Sequence, residues 1–253
     1  MQLPAKYAIQ PDLPIIAGPV QAHPALPISY VETELPWVPD AWIQIDAGWY
    51  LRDKPTRGKN IIVATDPHVI DYDGRRQVAD TLYCMQTPYM RAGDQYLPYA
   101  HDPIWHAPEE QPRNHDVCLL GLHYQNRNTL VEQLRARGVD VYYELGPCFD
   151  EARALYNQAP IGLNWSSLQD LTARVFELLG MRRLAVVNRV PDLDRFFVDG
   201  ADVLAFDTLE EAVDKVLYAL AHPDEAEAIA NQGHETVQPH TWDARVTEIL
   251  EGV

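Results

Sequence analysis

The sequence of 253 residues predicts an α/β fold in two lobes, the second built on a parallel, doubly wound sheet. Three observations carry this. After residue 115, short apolar runs alternate with segments of helical period, the pattern of a parallel sheet whose crossovers are helices. Between residues 41 and 84, three further apolar runs resemble buried strands but have little helical sequence between them. The stretch from Tyr96 to Arg113, with four prolines and several charges, reads as the connection between the two halves. The predicted division is an extended arm over residues 1–40, a reduced lobe over 41–113 and a carboxyl-terminal lobe over 114–253.

The arm holds eight of the 20 prolines, spaced so that neither a helix nor a central strand runs through it. In the first lobe, Trp42, Ile43 and Ile45, then Ile61 to Ala64, then Thr81 to Cys84 are the strand candidates. In the second lobe, Asp116 to Leu122 predicts a strand. Asn128 to Arg137 follows as a helix closed by Gly138, and Val139 to Leu145 as a strand. Ile161 to Asn164 is the next strand, followed by a helix running to Leu179 and closed by Gly180, then the strand Leu184 to Asn188. Val203 to Phe206 leads into Thr208-Leu-Glu-Glu211, a capping box that opens a helix with Leu209, Ala212, Val213, Val216, Leu217 and Leu220 on one face. Two more helices are expected, one after Pro223 and one from about Thr241 to Glu251. Trp242, Val246, Ile249 and Leu250 give the last helix an apolar face that needs a partner, which we expect in the first lobe.

Composition narrows the function classes. A net charge of −17, with 47% hydrophobic and 23% charged residues, is that of a globular chain. It opposes non-specific binding to nucleic acid, where Lys and Arg must neutralise phosphates. Only four lysines stand against 16 arginines, and Arg is the side chain suited to bidentate phosphate contacts or to solvated ion pairs. The longest uncharged stretch, Leu13 to Val31, is broken by Pro14, Pro19, Pro24 and Pro27, so no membrane span is predicted. The start, Met1-Gln2-Leu3-Pro4, lacks the features of a signal peptide, and the chain reads as intracellular, hence cytoplasmic. Cys84, Cys118 and Cys148 fit neither a disulfide framework nor zinc spacing and are expected as reduced, buried thiols.

Candidate chemistry lies at strand ends, where parallel sheets bind ligands. Strand Ile161 to Asn164 is followed by Trp165, Ser166 and Ser167 and then by helix, which is either an anion site of free N–H groups or an ordinary cap by Ser167 or Asp170. Arg174 and Glu177 share one helix face, as a surface ion pair or as site residues. Asp66-Pro-His68 follows the strand Ile61 to Ala64, where either a catalytic base or a capped loop belongs. Asp71-Tyr-Asp73 spells the Asp-x-Asp of some metal-binding enzymes, but Gly74 marks a turn. His101, Asp102, His106 and His115 lack regular ligand spacing, so no metal site is assigned. Gly-rich dinucleotide loops, nucleophile elbows and P-loops are absent from the sequence.

One ordered series goes further. Arg174-Val-Phe-Glu177-Leu-Leu-Gly180, then Arg183-Leu-Ala-Val-Val-Asn188, then Leu193 with Phe196-Phe197 and Gly200, then Ala230-Asn231-Gln-Gly233-His234, and finally His240-Thr241-Trp242 with Arg245 and Ile249-Leu250 resembles the carboxyl-terminal half of spore-maturation (CgeB-type) glycosyltransferases. Tyr99-Ala-His-Asp102-Pro103, Asp116 to Gly121 with Arg127, and Gly162-Leu-Asn164 with Asp170 extend the likeness over roughly residues 60 to 252. These are group 1 glycosyltransferases of the GT-B clan.

The resemblance implies a GT-B-like α/β fold of two Rossmann-like lobes and a nucleotide-sugar site in the second. Glu177 would bind the ribose hydroxyls, its two oxygens accepting from neighbouring hydroxyls. The backbone near Leu171 and Thr172 would meet the diphosphate, with Arg127 or Arg174 neutralising it. Asn164, Gln169 and Asp170 would complete the donor site, although Gln169 stands where many clan members carry a second Glu toward the donor sugar. Asp66 and His68 are the catalytic candidates from the first lobe, whose small size leaves acceptor recognition unread. The expected function is metal-independent transfer of a hexosyl or pentosyl group from a nucleoside diphosphate sugar, without further cofactor, to an acceptor that is a glycan, a protein, a small molecule or a modified nucleic acid base. The alternative is a non-catalytic nucleotide or nucleotide-sugar binding protein with a degenerate GT-B fold.

Overall fold

The computed structural model describes residues 37–45, 54–166 and 168–252. Most of the expected extended arm, and Ser167, lie outside the described residues. Two parallel sheets organise the rest.

The first sheet has the order β1 (Ala41–Ile45), β2 (Lys59–Ala64), β3 (Thr81–Cys84) and β4 (Gln95–Tyr96), all parallel. A single-turn helix, α1 (Asp73–Arg76), lies between β2 and β3. Side chains alternate across the sheet as strand geometry requires. Ile62, Ala64, Leu82 and Cys84 pack on one face with Tyr72, while Ile61, Val63, Tyr83 and Met85 pack on the other with Leu97.

The second sheet has the order β6-β5-β7-β8-β9, built from β5 (Val117–Leu120), β6 (Val141–Glu144), β7 (Ile161–Asn164), β8 (Leu184–Asn188) and β9 (Leu204–Phe206). Helices α2 (Gln125–Ala136), α5 (Leu209–Ala221) and α6 (Pro223–Val237) supply partners for the face of Val117, Leu119, Leu163 and Val186. Helices α3 (Phe149–Asn157) and α4 (Ala173–Gly180) cover the opposite face, of Cys118, Ala185, Val187 and Ala205. Strand order reverses between β5 and β7, and at such a switch point ligands bind in the crevice outside the carboxyl ends of the strands, here next to Gly121 and Trp165.

The last helix, α7 (Trp242–Glu251), is capped by Thr241, whose hydroxyl accepts from the Ala244 N–H, and lies against the first sheet. Its Ile249 joins the cluster of Ile61 and Tyr83. Lys59 donates to the Gly252 carbonyl at 3.0 Å, and the buried Arg245 donates to the Pro98 carbonyl at 2.9 Å. Val246, expected on the packed face, is exposed instead. A second clasp joins the lobes where the Thr87 N–H and hydroxyl both donate to the buried Asp192 carboxylate, at 2.9 and 2.5 Å.

Several sequence expectations need correction. The helix expected after Ser167 starts only at Ala173, and Gly180 lies inside it. The left-handed residue that closes α4 is Arg182, at φ 57°, with its N–H donating to Leu179 and that of Arg183 to Leu178. Gly180 is small for a different reason: a Cβ there would sit 2.8 Å from His101 Cδ2 and 3.0 Å from the His106 carbonyl oxygen. Helix α3 was not expected, because Gly146, Pro147 and a first residue at positive φ, Phe149 at 49°, hide its start. Cys84 and Cys118 are buried as expected, but Cys148, which precedes α3, is exposed. Among the described residues no helix is long and apolar enough to cross a membrane.

Candidate functional site

Glu177 lies midway along α4, one turn beyond Arg174, and the pair is ion-paired at 3.0 Å with both side chains largely buried. The Arg174 guanidinium lies over the Tyr156 ring, 5.1 Å from its centroid. Tyr156 is itself fully buried and accepts from the Leu120 N–H at 3.0 Å. A path of fixed groups therefore runs from the end of β5 to the carboxylate of Glu177. The other oxygen of that carboxylate faces His106 Nε2 at 3.7 Å. These groups line a cavity of about 350 Å³, whose lining also includes Trp105, Phe149 and Trp242. Trp105 and Phe149 are tilted against each other with centroids 5.4 Å apart, and both are substantially exposed.

Arg127 sits at the crevice between β5 and β7. Its Nε donates to the Trp165 carbonyl at 2.8 Å and its Nη1 to the Leu122 carbonyl at 3.1 Å, so it holds the two strand-end loops together. Burial lowers the pKa of this guanidinium, but arginine stays cationic at neutral pH. Two of its five N–H donors are used there. The first-turn amides of α4, at Ala173 and Arg174, have no side-chain cap, because the Thr172 hydroxyl accepts from neither; that hydroxyl is buried and has no hydrogen-bond partner among the described residues. An uncapped helix start beside two arginines is suited to phosphate oxygens.

The remaining expected donor residues are less engaged. Asn164 ends β7 and is buried, opposite Val187 of β8. Asp170 accepts from the Ser166 hydroxyl and so braces its own loop, whose other anchor is the Ser166 N–H donating to Asn188 at 2.6 Å. Gln169 is exposed. Leu171 contributes its side chain to the core, not to the crevice.

Asp66 and His68 are not brought together as a dyad. The Asp66 carboxylate accepts from the Thr65 hydroxyl at 3.3 Å, and its carbonyl accepts from the Val69 and Ile70 N–H groups. The partner of His68 is the buried Gln86, whose Oε1 lies 3.1 Å from Nδ1 while its Nε2 donates to the Thr65 carbonyl at 3.2 Å. With Oε1 facing the ring, Nδ1 carries the proton and Nε2 keeps the lone pair a base needs. No ion pair, hydrogen bond or shared cavity among the described residues joins His68 to Glu177: it lines a separate cavity of about 280 Å³ with Asp71, Tyr89 and Arg91.

Asp71 and Asp73 form a turn into α1, the Asp71 carboxylate accepting from the Asp73 N–H at 2.8 Å and Asp73 pairing with Arg76 at 2.9 Å. Among the described residues no group of three His, Cys, Asp or Glu is placed to hold a metal ion. Sequence reasoning missed Tyr156, Trp105 and Phe149 and considered His106 only as a metal ligand. A pairing of Tyr156 with Arg174 across two helices leaves no mark in local spacing.

A family profile described as glycosyl transferase-like matches residues 113–251. No curated protein sequence matches the chain significantly. Among solved structures, sucrose-phosphate synthase of Thermosynechococcus elongatus superposes with a TM-score of 0.59 at 13% identity, over 77% of this chain and 67% of that one. Anabaena HepE in complex with UDP-glucose gives 0.62 at 9% identity, over 77% and 72%. S. aureus TarM gives 0.64 at 9% identity, over 88% of this chain and 57% of its own. The fold is thus that of GT-B glycosyltransferases, with two Rossmann-like lobes.

Proposed function

The chain belongs to the glycosyl transferase-like family, and from that membership we propose that it transfers a hexosyl or pentosyl group from a nucleoside diphosphate sugar to an acceptor, without a metal ion. The observation that carries the reading is the Glu177–Arg174 pair lining a cavity next to the switch point of the second sheet. In this reading Glu177 accepts from the two ribose hydroxyls. Arg127, Arg174 and the amides that open α4 face the diphosphate, where developing negative charge is greatest. Leu171 and Thr172 place those amides, and Asn164, Gln169 and Asp170 shape the loop toward the donor sugar. HepE, which shares the fold, was crystallised with UDP-glucose, which makes uridine diphosphate the first donor base to try.

The chemistry balances on the groups available. An acceptor hydroxyl oxygen forms the new bond to the anomeric carbon, and the bond from that carbon to the diphosphate oxygen breaks. The nucleoside diphosphate leaves with the electron pair, and the acceptor proton passes to His68 Nε2 once closure of the lobes brings the His68 cavity against the donor site. Asp66 serves by its backbone, folding the loop that presents His68. The acceptor is a glycan, protein, small molecule or modified base, and the reaction is placed in the cytoplasm.

Thermal shift against uridine, guanosine, thymidine and cytidine diphosphates tests the site. A nucleotide at 100 times its Kd adds about 2.7 kcal/mol, a rise of roughly 5 to 10 °C for a chain of this size. No shift with any of the four refutes the nucleotide site. Retention of the shift in EDTA is expected, and its loss, with recovery in magnesium or manganese, refutes metal independence. A second reading, a binding protein without transfer, draws on the exposure of Gln169 and the separation of Asp66 from His68. Slow release of free nucleotide from the bound nucleotide sugar distinguishes the transferase, since a binder alone produces none.

A further inference from the structure

His106 reaches the cavity from the segment that joins the lobes, not from the lobe that carries Glu177. Its surroundings fix which nitrogen bears the proton. The Asp102 N–H donates to His106 Nδ1 at 2.9 Å. A backbone amide only donates, so Nδ1 holds a lone pair and the hydrogen is on Nε2, the atom that faces Glu177. Burial favours the same neutral form, lowering the imidazole pKa from its usual 6.5 against the opposing pull of Glu177; Asp102, Arg174 and Arg153 are the other charges that face the ring.

The segment itself is held firmly. The Asp102 carboxylate accepts from the Ile104 and Trp105 N–H groups at 2.7 and 3.0 Å, and the His106 N–H donates back to the Asp102 carbonyl at 2.8 Å. Arg153 of α3 donates to the Ile104 carbonyl at 2.9 Å, while Gly180 of α4 leaves room for the His106 backbone. The ring is thus positioned by its own turn and by both helices that wall the cavity. A closure of about 0.7 Å brings Nε2 to hydrogen-bond distance, an adjustment of the size seen when ligand-free sites engage substrate.

We infer that His106 is a positioning residue for nucleotide recognition: its Nε2–H donates to Glu177 Oε1 and turns that carboxylate toward the ribose, tying the pocket to the segment that joins the lobes. The inference rests on Glu177 as the ribose-binding residue. Lone pairs suffice for the task. A carboxylate offers about four acceptor sites; Arg174 takes one on Oε2 and His106 one on Oε1, which leaves two for two hydroxyls.

Two substitutions separate positioning from packing. In His106→Asn the amide oxygen keeps the bond from the Asp102 N–H but nothing reaches Glu177. In His106→Gln the terminal amide nitrogen takes the place of Nε2, while the acceptor for Asp102 is lost. Calorimetric titration with the tightest of the four nucleoside diphosphates is the readout, with circular dichroism and melting temperature recorded for every variant. We expect His106→Asn to weaken binding about tenfold and His106→Gln to remain within about threefold of wild type. A purely structural role predicts the reverse order. The effect of His106→Asn should vanish in a Glu177→Ala background, since the residue acts through that carboxylate. Wild-type affinity in His106→Asn, or an undiminished effect in the double variant, overturns the positioning role and leaves Glu177 standing. Failure of the wild type to bind any diphosphate, or full affinity in Glu177→Ala, removes the ribose site and this inference with it. Should His106→Gln unfold early, the Asn variant and the double variant decide the question by themselves.

Discussion

Replacing Asp192 by Ala tests how much the buried carboxylate of the second clasp adds to the joining of the two lobes by α7. Asp192 is 1% exposed, and across the lobe boundary it accepts from the Thr87 N–H and hydroxyl. Hydrogen bonds to a charged group contribute about 1.5 to 3 kcal/mol each, so the pair is worth roughly 3 to 6 kcal/mol gross. Removing the carboxylate also relieves the cost of burying it, while leaving the Thr87 N–H without an acceptor costs about 1 to 3 kcal/mol. The net expectation is a loss near 3 kcal/mol, or roughly 6 to 12 °C in melting temperature for a chain of this length. Asp192→Asn keeps one acceptor oxygen and should lose about half as much. Asp194→Ala, two residues away and paired with Arg189 on the exposed surface, is the control and should change stability by less than about 1 kcal/mol. Urea unfolding followed by circular dichroism reads all three. An Asp192→Ala protein within about 1 kcal/mol of wild type refutes the clasp.

Three further expectations follow from burial, clearance and charge. Of the three thiols only Cys148 should react with Ellman's reagent in the native protein at pH 8, because Cys84 is buried and burial pushes the Cys118 thiol up to about 12; reaction of all three without denaturant refutes the packing, and bound nucleotide should slow the one that reacts, since Cys148 lines the cavity of Glu177. Gly233→Ala would place a Cβ 2.3 Å from the Asp202 carbonyl oxygen and should destabilise by about 2 kcal/mol or more, whereas Gly74→Ala meets nothing within 4 Å and should be neutral or mildly stabilising; equal melting temperatures for the two variants contradict this. Burial lowers the pKa of His101, His106 and His240 below 6.5, so on acidification the unfolded chain takes up protons that the folded one refuses, and stability should fall as pH drops through 6.5; a melting temperature that is flat or rising from pH 7 to 5 refutes the neutral assignment.

Much of the second lobe was legible because its elements are written locally. Thr208 and Glu211 specify a cap whose first half forms as read, the Thr208 hydroxyl accepting from the Glu211 N–H at 3.2 Å, while the Glu211 carboxylate accepts from the Asp207 N–H, one residue before the N-cap; Gly138 adopts the left-handed conformation expected of a helix end. Gly180 misled because glycine is chosen for two physical reasons, backbone freedom and clearance, and sequence does not say which applies. Helix α3 was hidden by a start that breaks the usual rules. Within the site, the Glu177–Arg174 pair was readable from helical spacing and the family-like run. His106 and Tyr156 were not, since each meets α4 from another segment of the chain, and the Gln86 contact that orients His68 comes from 18 residues away.

The first sheet has a consequence for the order in which this chain acquires its structure. Its four parallel strands follow one another in sequence, and right-handed crossovers that always step in the same direction stay on one side of a sheet. The connections from Ala64 to Thr81 and from Cys84 to Gln95 can therefore shelter only one face. The other, carrying Ile61, Val63 and Tyr83, is covered among the described residues by Leu97 and Tyr99 and by Trp242 and Ile249, the last two more than 150 residues downstream. A parallel sheet left bare on one side is not stable in water. During synthesis at about 5 to 20 residues per second, the first sheet thus waits roughly ten seconds or more for α7 to complete the cover of that face. The second lobe, whose described layers run from β5 to α6, meets its own partners within itself.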